Sequence, residues 1–157
     1  MDEKILWQKV IDQEKLLHFS SFDANDACAL GLFMADEAKK AGINMLIDIR
    51  LNGFQRFRYA PSGITPENER WANRKINLVN LTQKSSLFTF CKLKVENLDL
   101  KRDRMLDPMD FAAVGGAFPI YVEGAGMIGV VAVSGLPHIQ DHEFLVSCLA
   151  KYLGVTL

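Results

Sequence analysis

The residues best placed to do chemistry surround a turn near the C-terminal end of this 157-residue chain, Ser134-Gly135-Leu136-Pro137. An apolar run, Met127–Val133, leads into this turn, and a helix-forming segment follows it. The run contains no charged residue, which is typical of a strand buried on both faces. Free peptide N–H groups at the start of a helix attract carboxylates and phosphates. The pattern predicts a pocket for a small or anionic ligand around Ser134 and Gly135. The alternative is that Gly135 only permits the turn.

Two histidines four residues apart, His138 and His142, lie in the predicted last helix. This spacing can place both rings on one side of a helix, where they hold a metal ion if a third ligand is near. The sequence indicates no third ligand and contains no CxxC pair, so we expect no metal site. Asp141 is equally well explained by its favourable interaction with the helix dipole. We place Asp141 and His142 beside the predicted ligand.

Two residue pairs complete the predicted site. The glycines Gly115 and Gly116 permit a close approach of backbone to a ligand or to another strand, and we assign them to the opposite wall of the pocket. Lys75 falls in the middle of the apolar face of a predicted helix, next to Arg74. Because burying an unpaired ammonium is costly, Lys75 must reach an acid, a carbonyl or water. It either extends along Trp71 to water or, with Arg74, gives a pocket or an interface positive charge.

The composition excludes several classes of partner. The formal net charge is −1, which gives no electrostatic reason to bind nucleic acid or an anionic membrane. No apolar stretch reaches the roughly 18–20 residues that span a bilayer, and the charged N-terminus is unlike a signal peptide. Patterns for serine hydrolases and nucleotide-binding loops are absent. Three widely spaced cysteines in apolar patterns indicate free core thiols and a cytoplasmic protein: Cys28, Cys91 and Cys148.

Capping residues and helical periodicity predict most of the helices that must position the site. Asp23, with Asp26 three residues later, caps a helix that Gly42 ends. Thr65 followed by Pro66 opens another. The predicted helices cover residues 3–18, 23–42 and 65–83, the segment 87–95, which fits a strand equally well, and a last helix that includes residues 144–152.

Alternating residues predict a half-buried strand over 43–51, the turn Asn52-Gly53 and a returning strand over 54–60. A strict two-residue turn would place Arg56 on the same face as Ile49. We therefore expect an odd-length loop or a bulge near the turn, which shifts the register by one residue.

A second pair of strands is predicted over 118–122 and 127–133, with Pro119 suited to an edge. Hairpins join the strands within each pair, and helices separate the pairs. This order predicts a single α+β domain, residues 1–157, with an antiparallel sheet packed by helices.

The chain resembles the haem-degrading-domain (GlcG/HbpS-like) superfamily, most closely its cytosolic, largely uncharacterised branch. The resemblance extends from about residue 20 to residue 155 and is carried by the segments Asn68-x-x-Trp71-x-x-Arg74-Lys75, Ser85-Ser86, Gly115-Gly116-Ala117-Phe118-Pro119-Ile120 and Val133-Ser134-Gly135-Leu136-Pro137 with Asp141-His142. It implies a profilin-like antiparallel sheet of four to five strands and symmetric homo-oligomers. It also implies haem as a cofactor in some relatives.

Three functions are therefore expected as alternatives. The first is a cytoplasmic oligomer that binds a small ligand near Ser134, and here we expect Gly135→Val to abolish ligand retention without unfolding the protein. The second is a haem-binding or haem-degrading enzyme, with His138 or His142 as the iron ligand. The third is an oligomeric scaffold that recruits other proteins. Phenylalanines near predicted loops are expected to supply the apolar surface of the oligomer: Phe54, Phe88, Phe111 and Phe118.

Overall fold

The computed structural model describes residues 1–157, which form five helices and four strands. In chain order the elements are α1 (Glu3–Leu16), α2 (Ala24–Ala41), β1 (Leu46–Leu51), β2 (Phe54–Tyr59), α3 (Pro66–Thr82), α4 (Ser86–Glu96), β3 (Ala117–Val122), β4 (Gly126–Ser134) and α5 (His138–Leu153). The segment 87–95, which the sequence left open between helix and strand, is helical. None of the helices is both long and apolar enough to cross a membrane.

The four strands form one antiparallel sheet in the order β2-β1-β4-β3. Two hairpins, β1–β2 and β3–β4, are joined side by side through the pairing of β1 with β4. This confirms the predicted α+β class and the antiparallel sheet. The β3 strand lies at the edge, where Pro119 removes no ladder hydrogen bond that a central strand would need.

The first hairpin contains the predicted register shift. Leu51 pairs with Phe54 across the turn Asn52-Gly53, whose residues have φ angles of 51° and 80°. Both lie in the left-handed region that a two-residue hairpin turn requires. Further along, Ile49 pairs with Phe57 whereas Arg50 pairs with Gln55, so Arg56 is the extra residue of a bulge. The bulge returns Phe57 to the face of the sheet that carries Ile49.

Helices cover both faces of the sheet. Helices α2 and α5 pack over the face that presents Ile47, Val131 and Val133, and α3 packs over the face that presents Val130 and Ala132. The prediction that the second hairpin delivers a strand buried on both faces is therefore confirmed for β4.

The expectation of a half-buried first strand is wrong. Leu46 and Asp48 on its second face are each 1% exposed, because α3 covers that face. Arg50 compensates the buried carboxylate: its Nε and Nη2 atoms donate to the two oxygens of Asp48 at 3.2 and 2.9 Å. The charged residues Asp48 and Arg50 therefore do not indicate that this face of the strand is open to solvent.

The helix starts follow the predicted caps. Asp23 and Asp26 exchange reciprocal hydrogen bonds at the start of α2, and Thr65 and Asn68 form the equivalent capping box of α3. Ser85 Oγ accepts from the Phe88 N–H at the start of α4. The side-chain oxygen of Asn68 thus has a structural role.

Two expectations about exposure are wrong. Cys28 lies on the exposed side of α2, because its neighbour Ala27 takes the buried position; Cys91 and Cys148 are buried as predicted. Phe118 is 1% exposed inside the main core, so it supplies no apolar surface, whereas Phe54 is 63% exposed. The homo-oligomer stays a prediction.

Candidate functional site

A cavity of about 360 Å³ lies where β4 turns into α5, between that turn and α3. Its lining consists of Asn68, Trp71, Lys75, Val114, Ser134, Gly135, Leu136, His138 and Asp141. The first hydrogen bond of α5 runs from the Asp141 N–H to the Pro137 carbonyl, and no side chain caps the helix. The peptide N–H groups at the start of α5 are therefore available beside the cavity.

The structure brings half of the predicted site residues to this cavity. Lys75, Ser134, Gly135 and Asp141 line it. Gly115, Gly116, Arg74 and His142 do not line it, and each has another contact.

Lys75 and Asp141 form a buried ion pair at the cavity. The Lys75 Nζ atom donates to Asp141 Oδ2 and to the Val133 carbonyl oxygen, both at 3.0 Å. Both residues are 2% exposed, so the amine meets an acid and a carbonyl, and the alternative that it extends to water is wrong. Asp141 Oδ1 accepts from the Leu136 N–H at 2.8 Å. One carboxylate thus ties together α3, the turn and α5.

Burial changes the protonation of both partners in the direction of a neutral pair. Desolvation lowers the pKa of Lys75, against the opposing effect of Asp141. Desolvation likewise raises the pKa of Asp141, against the opposing effects of Lys75 and the backbone donors. The two pKa shifts have opposite signs, and both favour a neutral pair with the proton on Oδ2, because burial penalises each charge.

The glycine pair makes a close approach to protein and not to the cavity. Gly116 has a φ of +124°, and a Cβ there would lie 2.5 Å from Lys75 Nζ. A Cβ on Gly115 would lie 2.3 Å from the His138 carbonyl oxygen. Val114 supplies the wall that was assigned to these glycines.

Gly135 is also required by packing. A Cβ on this residue would lie 2.4 Å from the Asn44 carbonyl oxygen, a backbone atom that cannot move aside cheaply. The expectation that Gly135→Val leaves the fold intact is therefore wrong, and a substitution there cannot serve as a test of ligand binding.

Arg74 and His142 point away from the cavity. Arg74 Nε donates to the Pro108 carbonyl oxygen at 2.9 Å, and its guanidinium lies 4.4 Å from the centre of the Trp71 ring. His142 is 2% exposed, and its Nε2 atom lies 2.7 Å from Gln13 Oε1 of α1. Burial lowers the pKa of His142 to about 3, so the ring is neutral and Nε2 carries the proton that Gln13 accepts.

His138 is the histidine that lines the cavity. Its Nδ1 atom accepts a hydrogen bond from the Gly115 N–H at 3.1 Å, which places the proton of the neutral ring on Nε2. Burial, followed by the charge of Lys75, lowers its pKa. His138 and His142 thus have separate partners, and no group of three histidine, cysteine or acidic side chains is placed to hold a metal ion.

Hydrogen-bond donors outnumber free acceptors around the cavity. The Ser134 hydroxyl and the His138 Nε2–H make no hydrogen bond within the protein, and Asn68 uses only its oxygen, which accepts from the Thr65 N–H. The one carboxylate, Asp141, is already paired. His138 and Trp71 are further parts of the wall that were not predicted. The one-turn spacing of Asn68, Trp71 and Lys75 on α3 was the signal available.

Comparisons with known proteins identify relatives over nearly the whole chain. The family described as "Haem degrading protein HbpS-like" matches residues 22–150. A UPF0303 protein of Serratia proteamaculans (strain 568) is 41% identical over 150 residues, which are 96% of this chain and 93% of the relative. A UPF0303 protein of Paraburkholderia phymatum is 42% identical over 147 residues, 94% of this chain and 89% of the relative.

Solved structures show the same fold. The crystal structure of the Ybr137w protein has a TM-score of 0.89 at 28% identity and covers 99% of this chain and 92% of its own. HbpS has a TM-score of 0.66 at 18% identity, covering 85% and 90%. A complex of PduOC with heme has a TM-score of 0.67 at 14% identity, covering 84% and 94%. At these lower identities the similarity concerns the fold alone.

We predict that Lys75→Met lowers the free energy of unfolding by about 3–5 kcal/mol, because it leaves Asp141 buried without its partner. The double variant Lys75→Met/Asp141→Asn should lose less than the sum of the two single changes, because it removes both charges. Urea unfolding of the four proteins measures this coupling. Lys40→Met, which breaks the exposed Lys40–Asp36 pair, is the matched control. Equal effects of Lys75→Met and Lys40→Met would contradict the role assigned to the buried pair.

We also predict an acid-dependent loss of stability that depends on His142. The pKa of this ring falls from 6.5 to about 3 on burial, so the folded protein binds fewer protons than the unfolded chain between these values. The contribution of the neutral His142 ring to the free energy of unfolding is complete above pH 6.5 and is lost as the pH falls toward 3. Urea midpoints between pH 7.5 and 4 should show a shallower decline for His142→Gln than for the wild type. Parallel declines would rule out this origin.

Proposed function

This chain belongs to the HbpS-like haem-degrading protein family, and we propose that its cavity at the start of α5 binds a small ligand with acceptor oxygens, in particular a carboxylate. The observation that carries the proposal is the excess of unused donors. Ser134, Asn68 and His138 each hold a donor without a partner, and the uncapped N–H groups of α5 lie beside them.

The charge of the cavity does not oppose an anion. Asp141 does not repel one, because Lys75 neutralises it and the Leu136 N–H occupies its second oxygen. Trp71, 38% exposed and held by the stacked Arg74, adds a flat apolar wall. A few convergent polar groups on an apolar wall are typical of small-molecule sites.

The test uses three ligands of one shape and different charge: benzoate, benzamide and benzylamine. In NMR titrations we expect benzoate to shift the amides of residues 134–141 saturably, and benzylamine to leave them unchanged. Ser134→Ala should weaken benzoate binding by about two- to tenfold, the value of one hydrogen bond, whereas Ser147→Ala on α5, outside the lining of the cavity, should not. Equal binding of all three ligands, or shifts elsewhere only, would count against the proposal.

Haem is the second candidate ligand, raised by the family description and by the heme complex of PduOC. The two histidines of α5 do not fit an iron ligand. His138 holds its proton on Nε2, and the unpaired Nδ1 of His142 is buried outside the cavity. Metal-ligating histidines donate one ring N–H to an acceptor and present the lone pair of the other nitrogen to an open site.

His18 has this arrangement, and it favours haem at a different place. Its Nδ1 lies 2.8 Å from Glu123 Oε1, so Nδ1–H donates and Nε2 keeps its lone pair. The ring stacks on Tyr121 at 4.3 Å between centroids. It borders a second cavity, of about 250 Å³, whose lining includes Lys15, Lys84 and Phe88. Ammonium groups and aromatic rings suit the carboxylates and the flat body of haem.

A haem titration followed at the Soret band tests this second candidate. We expect His18→Ala to remove a ligation-type Soret shift at micromolar haem, and His138→Ala to retain it. Glu123→Gln should weaken the shift, since it removes the carboxylate that orients the ring. A wild-type protein that leaves the Soret band unperturbed, or a His18→Ala variant that behaves like the wild type, would exclude His18 as the ligand.

A further inference from the structure

We propose that Lys75 is a nucleophile, and that the cavity captures a small 2-oxo acid or similar carboxylated carbonyl compound as an imine on its Nζ atom. This inference rests on the small-ligand site proposed above and names the chemical class of its ligand. The reacting group is the Lys75 amine, which lies in the lining of the cavity at its junction with β4 and α5.

The surroundings of Nζ suit a neutral amine. Two protein acceptors reach it, Asp141 Oδ2 and the Val133 carbonyl oxygen, each at 3.0 Å. A neutral amine has two N–H groups and a lone pair, whereas an ammonium has three N–H groups and none. Burial lowers the pKa of Lys75, which increases the neutral fraction at a given pH. A lysine desolvated in this way is an established kind of nucleophile toward carbonyl carbon.

A purely structural ion pair does not need its lysine in the lining of a cavity. A lysine that only joined α3 to α5 would serve equally well away from a cavity, and a pair of apolar residues often stabilises a core as much as a buried ion pair does. Here the amine lies against Gly116, where a Cβ would be 2.5 Å from Nζ, so the backbone has been kept clear of it. The same amine shares the cavity lining with the unused donors of Ser134 and His138.

The chemistry balances within the site. The lone pair of neutral Nζ attacks the carbonyl carbon and forms the C–N bond, while the proton on Asp141 Oδ2 moves to the carbonyl oxygen. A proton then passes from nitrogen to Asp141. Loss of water from the resulting carbinolamine, with that proton on the departing hydroxyl, gives the protonated imine beside the Asp141 carboxylate. Return of the imine N–H proton to Asp141 gives the neutral imine and restores the starting protonation of the site. No oxidant, reductant or metal takes part.

The carboxylate of the ligand is what distinguishes a 2-oxo acid from an uncharged ketone in this cavity. Its oxygens can accept from the Ser134 hydroxyl, the Asn68 amide and the His138 Nε2–H, all in the lining of the same cavity. An uncharged ketone offers these donors fewer acceptors. The structure therefore favours a carbonyl compound with an adjacent carboxylate over one without it.

The experiment traps the imine by reduction in the wild-type protein, so it does not depend on a variant that must fold. The protein is incubated with pyruvate and cyanoborohydride at pH 6, and modified lysines are located by peptide mass spectrometry. At this pH roughly one exposed lysine in 10⁴ is neutral. We expect Lys75 to be modified at least about tenfold faster than exposed Lys39, which serves as the internal control.

Acetone in place of pyruvate tests the carboxylate, and Asp141→Asn tests the proton donor. We expect slower modification of Lys75 in both cases, with Lys39 unaffected by the substitution. Modification of Lys75 no faster than that of Lys39 overturns the imine proposal, and benzoate binding then shows separately whether the non-covalent site stands. Modification by acetone as fast as by pyruvate overturns the assignment of a carboxylated ligand.

Discussion

The contact between Lys75 and Asp141 joins the helices on the two faces of this sheet at the end of β4. Helix α3 lies on one face and α5 on the other, and the amine of the first reaches past the end of β4 to the carboxylate of the second. Because neither charge is solvated, each partner requires the other. The pair also explains why residue 116 is glycine, since any side chain there would occupy the space of Nζ.

The same pair leaves the start of α5 open to a ligand. An acid in the first turn of a helix commonly stabilises the free N–H groups there. Asp141 instead directs its oxygens to Lys75 and to the Leu136 N–H, and Pro137 offers no capping side chain. The N–H groups of α5 and the Ser134 hydroxyl therefore remain without partners beside a cavity. An interaction that holds the fold together at this point also accounts for the donors that make it a candidate binding site.

The elements of this fold follow from local signals, and the contacts of the site do not. The capping boxes of α2 and α3 and the bulge in the first hairpin were predictable, because each depends on residues only a few positions apart. The partner of Lys75 lies 66 residues away in the chain. Asp48 is buried by α3, which covers the face of the sheet opposite to the one that Ile47 and Ile49 share. Helical periodicity located Lys75 on the apolar face of its helix, but it did not show what the amine would contact. The prediction that Cys28 is buried is wrong for a similar reason, because the sequence does not show which of two neighbouring residues faces the core.

The three histidines show why residue type is a weaker guide to chemistry than the hydrogen-bond partner. Each ring has one nitrogen whose role is fixed by a neighbour: a peptide N–H of Gly115 for His138, the amide oxygen of Gln13 for His142 and the carboxylate of Glu123 for His18. A donor neighbour makes the opposite nitrogen a donor, so His138 suits an anionic ligand. An acceptor neighbour leaves a lone pair on the opposite nitrogen, and of the two rings with such a neighbour only His18 borders a cavity with that nitrogen unused. The spacing of His138 and His142 drew attention to α5 for metal chemistry, whereas the contacts favour hydrogen-bond donation there and leave His18, on another part of the chain, with the hydrogen-bond arrangement of a metal ligand.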